Sequence, residues 1–102
     1  MSKIYLSGPI SSLPIEVARR AFKRAEETLQ AQGWEVVNPM NNGLPVEAAW
    51  EQHLAEDVLA LLACKAVYML RGWEKSQGAR LEHAIAARVR MRIIYADKML
   101  EQ

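Results

Sequence analysis

The sequence predicts an α/β domain built on a parallel β-sheet. Short apolar runs alternate with longer segments whose apolar residues recur at helical spacing, a pattern typical of parallel α/β folds. The chain has 102 residues, enough for one domain, which we expect to span residues 1–102. Hydrophobic residues make up 51% of the chain and charged residues 25%, so the composition favours a globular protein over a disordered or fibrous one.

Apolar runs predict four strands, and helical periodicity predicts three helices between them. The strands are expected at residues 4–6, 34–37, 66–70 and 92–96. The helices are expected to start near Pro14 and stop at Gly33, and to span about 45–63 and 78–90. With right-handed crossovers this order gives a three-layer, flavodoxin-like sheet with helices on both faces, and we predict the strand order 2-1-3-4. The last few residues are expected to form a short turn or to fray.

The same periodicity predicts which side chains face the core. Trp34 and a chemically inert Cys64 are expected there as well. The inward-facing residues expected on the three helices are, in order, Ala18, Phe22, Ala25 and Leu29; Val46, Trp50, Leu54, Val58, Leu61 and Leu62; and Leu81, Ile85 and Val89.

Charge and cysteine content limit the classes of partner and compartment. The formal net charge is +1, so no bulk field attracts nucleic acid or an anionic membrane. Basic residues in the last third of the chain are read as a solvated helix face, and single phosphates remain candidate ligands. The single cysteine forms no intrachain disulfide, which fits a reducing compartment. No apolar stretch has the length of a signal peptide or a membrane span, so we expect a soluble, cytoplasmic protein.

Polar and glycine-rich residues cluster in three loops that follow predicted strands, at residues 7–13, 38–44 and 71–77. Ligands of such sheets bind beyond the carboxyl ends of the strands. Trp73 could stack on a flat heterocycle, pack under its loop or lie at a subunit interface. Ser76 is expected to cap the third helix, and the free amides beside it and Gly78 would also suit an anion. The candidate ligand-binding residues are Ser7, Gly8, Pro9, Ile10, Asn38, Trp73, Ser76 and Gly78.

Two carboxylates lie on or near apolar helix faces. Asp57 is either a ligand-binding or proton-handling group, or an edge residue that reaches solvent. Glu82 is either a site residue or a surface residue paired with Arg80 or Arg88. His53 precedes Asp57 by four residues, but a metal site needs three or four converging ligands, so no metal is expected. Phosphate-loop and dinucleotide motifs are absent from the sequence, and no cofactor is expected.

Three motifs in order carry a resemblance to a known family. Residues 4–10 resemble the first strand and loop, Asp57 resembles the site aspartate, and Ser76-x-Gly78-x-x-x-Glu82 resembles the phosphate or sugar loop followed by the catalytic glutamate. Together they resemble the nucleoside 2-deoxyribosyltransferase superfamily, which includes the 2′-deoxynucleoside 5′-phosphate N-hydrolases. The similarity runs over about residues 3–95 and is greatest to a short bacterial and phage branch.

The resemblance implies a retaining glycosyl transfer through a covalent glycosyl-enzyme. Glu82 would be the nucleophile, Tyr5 would orient it, and Asp57 would handle the proton at the leaving base. Ser76 and Gly78 would hold a phosphate or the sugar. The N-hydrolases carry an arginine in the first loop for the 5′-phosphate, and this chain has Ser11 and Ser12 there.

Two other functions stay open from the sequence. One is a module that binds a nucleotide without turnover, and the other is a bacterial or phage interaction protein on the same fold. For the enzyme and for the binding module, the expected partner is a small-molecule nucleoside or nucleotide. No membrane or nucleic-acid polymer is expected as a partner. A homodimer or higher homo-oligomer is also expected, because a short four-stranded domain leaves apolar surface to cover and because the resemblance suggests it.

Overall fold

The computed structural model describes residues 2–41, 44 and 47–97. Strands β1 to β4 and helices α1 to α3 alternate along the chain, and a short 3-10 turn precedes α2 and another precedes α3. In chain order the elements are β1 Lys3–Ser7, α1 Ile15–Ala31, β2 Glu35–Val37, α2 Trp50–Leu62, β3 Ala66–Met69, α3 Gln77–Arg88 and β4 Arg92–Tyr95, with the two turns at Pro39–Asn41 and Trp73–Lys75. Pro45, Val46 and the last five residues, for which a helix start and a frayed end are predicted, lie outside the described residues.

The sheet confirms the predicted topology. Its strands run in the order β2-β1-β3-β4, and all three pairings are parallel. Strand β1 is central, with Tyr5 opposite Val67 and Ser7 opposite Met69 on β3. The fold is therefore the flavodoxin-like α/β fold, and the carboxyl ends of β1 and β3 meet at one edge of the sheet.

Alternate residues of β1 enter two different cores, because successive side chains of a strand point to opposite faces. Ile4 and Leu6 pack with Phe22 and Leu29 of α1 on one face. Tyr5 packs on the other face, in a cluster that draws on α2, β3 and α3. Helix α1 lies where the apolar spacing of the sequence predicts it. Gly33, which follows the end of this helix, has a left-handed φ of 95°.

Helix α3 corrects the predicted inward face. Leu81 and Val89 are 39% and 52% exposed, whereas the buried positions are Ala79, Glu82 and Ala86. Ile85 is half-buried and does pack on the core. Small alanine side chains bring the helix close to the sheet, so the face with less apolar surface lies inward and carries the glutamate with it.

Helix α2 is shorter and less buried than its apolar stripe predicts. It begins at Trp50, and the Gln52 side chain accepts a hydrogen bond of 3.0 Å from the Ala49 amide just before it. Leu61 is fully buried, but Trp50 and Leu62 are 52% and 49% exposed, so the prediction of a core Trp50 is wrong. Cys64 follows the helix as a buried thiol, as predicted. Within the described ranges, no helix has the length and apolar character needed to cross a membrane.

Candidate active site

Glu82 is a buried carboxylate held by two hydroxyl groups. Its side chain is 6% exposed. The Tyr5 hydroxyl donates to Oε2 at 2.9 Å, and the Ser7 hydroxyl donates to Oε1 at 2.6 Å. Hydrogen bonds from hydroxyls to a charged oxygen are short and strong, so both oxygens of the carboxylate are fixed in place. Arg80 and Arg88, the predicted alternative partners, lie on the exposed side of α3.

This arrangement follows from the local structure of two elements. Tyr5 and Ser7 are two residues apart on β1 and therefore share one face of the sheet. Glu82 lies in the second turn of α3, which begins after the Ser76 cap, where the Ser76 hydroxyl accepts a hydrogen bond of 3.2 Å from the Ala79 amide. The cap sets where the helix starts, and one and a half turns later the helix presents Glu82 to the hydroxyls.

Burial shifts the acid–base chemistry of the pair. Removal from water raises the pKa of Glu82 to about 7. The hydrogen bonds from Ser7 and Tyr5 favour the charged form and limit that rise, while the negative charge of Asp57 adds to it. Burial also raises the pKa of the Tyr5 hydroxyl, and the nearby charges of Glu82 and Asp57 raise it further, so Tyr5 stays protonated as a donor.

A cavity of about 380 Å³ opens beside Glu82 at the carboxyl edge of the sheet. It lies across that edge, because α1 covers one face of the sheet and α2 and α3 cover the other. A volume of this size is within the range of small-molecule sites. Its lining comes from the β1–α1 loop, the start of α1, the segment after β2, α2 and the start of α3, and consists of Gly8, Ile10, Ser11, Ile15, Arg19, Pro39, Met40, Leu44, Trp50, His53, Leu54, Asp57, Ser76, Gly78, Ala79 and Glu82.

Most of the predicted site residues come together at this cavity. Asp57 and Glu82 both line the cavity, and the Tyr5 hydroxyl donates a hydrogen bond to Glu82. Gly8 and Ile10 line it from the first loop, and Ser76 and Gly78 line it from the start of α3. A Cβ added at Gly78 would meet open space, whereas one at Gly8 would lie 2.8 Å from the Leu70 Cβ, so Gly8 allows the loop to pass close to β3.

Four predicted ligand-binding residues are placed differently. Ser7 holds Glu82 through its hydroxyl and does not line the cavity. Pro9 also lies outside the lining, with its Cγ 3.5 Å from the position of a Cβ added at Gly72. Asn38 donates to Glu26 at 3.0 Å and accepts a bond from the Met40 amide at 3.0 Å.

Trp73 is the fourth of these residues. Its ring stacks on His83 with centroids 4.3 Å apart, and it is not part of the cavity lining. Trp73 is half-buried, and its ring contacts are with His83 and Tyr95 inside the fold. Stacking on a ligand and contact with a second subunit stay predictions for this residue.

Several residues that line the cavity are not among those predicted from the sequence. Trp50, His53 and Asp57 are spaced so that one face of α2 presents all three. In the sequence, the spacing of His53 and Asp57 indicates no more than an incomplete metal motif. Arg19 had no distinguishing signal among the charged residues of α1, although it brings a cation to the cavity. In the described part of the chain, no three His, Cys, Asp or Glu side chains form a group that would hold a metal.

A family model for a domain of unknown function, DUF4406, matches residues 2–95. The chain belongs to the DUF4406 family. No curated protein sequence matches this DUF4406 domain.

Among solved structures, the DUF4406 domain is similar to a 2-deoxyribosyltransferase from Leishmania mexicana, with a TM-score of 0.72 and 16% sequence identity. The match covers 93% of this chain and 63% of the enzyme chain, so the domain spans less than two thirds of that enzyme's length. At this identity the similarity shows a shared fold.

Proposed function

We propose that this DUF4406 domain cleaves the N-glycosidic bond of a nucleoside or nucleotide, or transfers its deoxyribosyl group, through a covalent glycosyl-Glu82 intermediate. The observation that carries the proposal is the buried Glu82 carboxylate, held by the Tyr5 and Ser7 hydroxyls beside a cavity that Asp57 also lines. The fold shared with a 2-deoxyribosyltransferase supports the same chemistry.

The proposed reaction has two displacements. In the first, a Glu82 oxygen attacks the anomeric carbon and forms an ester, the C–N bond breaks, and its electron pair goes to the base. Asp57 acts here in its protonated form: it delivers its proton to that base, so the base leaves neutral and Asp57 is left as a carboxylate. In the second, water or another base attacks the anomeric carbon, Glu82 is released as a carboxylate, and Asp57 takes up the proton of the attacking group.

The hydroxyls of Tyr5 and Ser7 serve this chemistry by holding Glu82 in one orientation. A nucleophile must be ionised, and burial alone would keep the carboxyl protonated near neutral pH. The two hydroxyl hydrogen bonds oppose burial and lower the pKa, which ends at about 7. The ionised, nucleophilic form of Glu82 therefore becomes available near neutral pH and increases as the pH rises.

Arg19 supports a substrate with an anionic group. Its guanidinium lies on α1, on the opposite side of the sheet edge from α2, and its Nε is 3.6 Å from Glu16 Oε1. A phosphate on the sugar would meet this cation at one end of the cavity while the base lies against α2 at the other end. The arginine that the N-hydrolases carry in their first loop would then have a counterpart on the helix that follows.

A nucleotide-binding module without turnover is the second candidate. The raised pKa of Glu82 favours this binding module at pH values below about 7. The carboxyl is then protonated, so it acts as a hydrogen-bond donor and not as a nucleophile.

Incubation of the protein with a panel of nucleosides and 5′-nucleotides, with free base measured by chromatography, separates the two functions. Base release that is lost in Glu82→Gln supports the enzyme, and trapping of a glycosylated Glu82 peptide by mass spectrometry would identify the intermediate. Binding with no base release from any compound would replace the enzyme with the binding module.

We also propose that the domain forms a homo-oligomer. Leu59 and Leu62 are 65% and 49% exposed on α2, away from the cavity lining, which leaves apolar surface for a second copy to cover. Light scattering at micromolar concentration tests this, and a monomeric mass would contradict it.

A further inference from the structure

The α2 wall of the cavity contains a polar side chain that the proposed chemistry does not use. His53 lies four residues before Asp57, and both line the cavity. Side chains four residues apart on a helix are neighbours, with Cβ atoms roughly 5–6 Å apart. Trp50, three residues before His53, extends the same wall.

Packing orders these groups relative to the reacting centre. Leu61, one turn after Asp57, is buried in the cluster that contains Tyr5, whereas Trp50 at the start of α2 is 52% exposed, so Asp57 lies at the end of the wall near the nucleophile. His53 lies one helical turn farther along α2. A nucleoside with its anomeric carbon at Glu82 therefore directs its base past Asp57 and towards His53.

We infer that His53 and Asp57 together determine the specificity for the base: His53 hydrogen-bonds to the group at the six-position of a purine, and Asp57 donates to ring nitrogen N7, which a pyrimidine lacks. This inference rests on the proposed function. A purine presents N7 and its six-position group side by side on one edge. Thymine presents one oxygen beside a methyl group on that edge, and cytosine presents an amino group. Two polar side chains one turn apart on a helix match the purine edge and leave one partner unused with a pyrimidine.

The side chain of His53 suits this role. Its imidazole carries a hydrogen-bond donor and an acceptor when neutral, so it bonds either to the oxygen of hypoxanthine or guanine or to the amino group of adenine. It is half-buried on the cavity wall, where water competes less for the bond. The wall beyond it ends in the Trp50 ring, an apolar surface for the outer edge of the base.

Three substrates and three proteins test the inference. The substrates are 2′-deoxyinosine, purine 2′-deoxyriboside, which lacks the six-position group, and thymidine. The proteins are the wild type, His53→Leu and Glu56→Leu. Glu56 is exposed on the same helix and lies outside the cavity lining, so its variant is a control for introducing leucine into α2.

We expect His53→Leu to lower kcat/KM for 2′-deoxyinosine about tenfold, the loss of one hydrogen bond, and to leave purine 2′-deoxyriboside unchanged. The wild type and Glu56→Leu should release base from 2′-deoxyinosine faster than from thymidine. A His53→Leu variant that affects both purines equally, or a wild type that prefers thymidine, would overturn the inference. His53→Gln, which keeps a donor and an acceptor, should restore the preference for 2′-deoxyinosine.

Binding separates the failure of this inference from the failure of the proposed function. Dissociation constants for the same three compounds are measured with Glu82→Gln and with Glu82→Gln combined with His53→Leu. If the wild type releases no base, the proposed enzyme activity fails. A tenfold preference for 2′-deoxyinosine over purine 2′-deoxyriboside that the second substitution abolishes would still support base recognition by His53, and equal affinities would overturn it.

Discussion

Glu82 and His83 are adjacent in the chain, yet their side chains lie in two different environments. Glu82 accepts hydrogen bonds from Tyr5 and Ser7 and lines the cavity. His83 Nε2 shares a hydrogen bond of 2.7 Å with the Tyr95 hydroxyl, and its ring stacks on Trp73. Each environment thus combines an ionisable residue of α3 with a tyrosine from the sheet, but only the first opens to a ligand-sized space among the described residues.

The comparison shows that residue types alone do not identify the site. Tyr5 and Ser7 point into the layer between the sheet and α3, at the central strand, where burial raises the pKa of a carboxyl. Tyr95 ends the edge strand β4, and Trp73 fills the space around His83. An ionisable residue of α3 thus lines a cavity in one position and packs among aromatic rings in the other.

The largest expected effect tests the first environment directly. Glu82→Gln keeps the shape of the side chain and removes the nucleophile, so base release should fall by roughly three orders of magnitude or more. Ligand affinity should change much less, because the cavity walls remain. Single-turnover base release and calorimetric binding measure the two quantities. Full activity of Glu82→Gln would show that the buried carboxylate is not the nucleophile.

Much of the fold could be predicted from the sequence, and the reasons are local. The continuous apolar run at residues 66–70 is typical of a central parallel strand, and right-handed crossovers restrict the topology to a few orders, of which the predicted 2-1-3-4 is the one observed. Tyr5, Asp57 and Glu82 are predicted as site residues through the family resemblance, which rests on motifs that occur in the expected order along the chain. Periodicity alone favoured a surface glutamate, because α3 has two competing faces and the larger apolar side chains are on the outer one.

The second prediction concerns stability and also depends on Glu82. Its pKa is about 7 in the folded protein and 4.5 ordinarily, so the folded state binds this proton more tightly than the unfolded state. The stability from this group is complete below pH 4.5 and is lost as pH rises through 7. The shift corresponds to about 3 kcal/mol. Urea unfolding at pH 5 and pH 8 should show that the wild type loses most of this amount, about 2.5 kcal/mol, relative to Glu82→Gln, and parallel pH dependence of the two proteins would contradict it.

The third prediction removes the hydroxyl donors one at a time. Tyr5→Phe and Ser7→Ala each delete a hydrogen bond that favours the charged carboxylate, so the pKa of Glu82 should rise further in both variants. The pH at which base release is half-maximal should therefore move upward, and the rate at pH 7 should fall about tenfold. A lower rate with an unchanged pH profile would mean that the hydroxyls contribute only packing.

The cavity walls were harder to predict than the fold, for a physical reason. Arg19 belongs to α1 on one face of the sheet and His53 to α2 on the other, and they share a cavity only because both helices reach the same edge. Sequence periodicity predicts which side of a helix is apolar. It does not predict which polar residues of the helix lie next to the carboxyl ends of the strands. A half-exposed polar residue lines the cavity only if it lies there.

The smallest effect on activity is expected for substitutions in the aromatic cluster around His83. Tyr95→Phe removes one hydroxyl from a bond to α3, as Tyr5→Phe does, and is therefore its matched control. Because Tyr95 and Trp73 lie outside the cavity lining, Tyr95→Phe and Trp73→Phe should each change kcat and KM less than about twofold while lowering the free energy of unfolding by about 1 kcal/mol. Steady-state kinetics and thermal unfolding measure these quantities. A selective rise in KM for Trp73→Phe would instead support the stacking role that the sequence leaves open for this tryptophan, and would place part of the ligand against the aromatic cluster around His83.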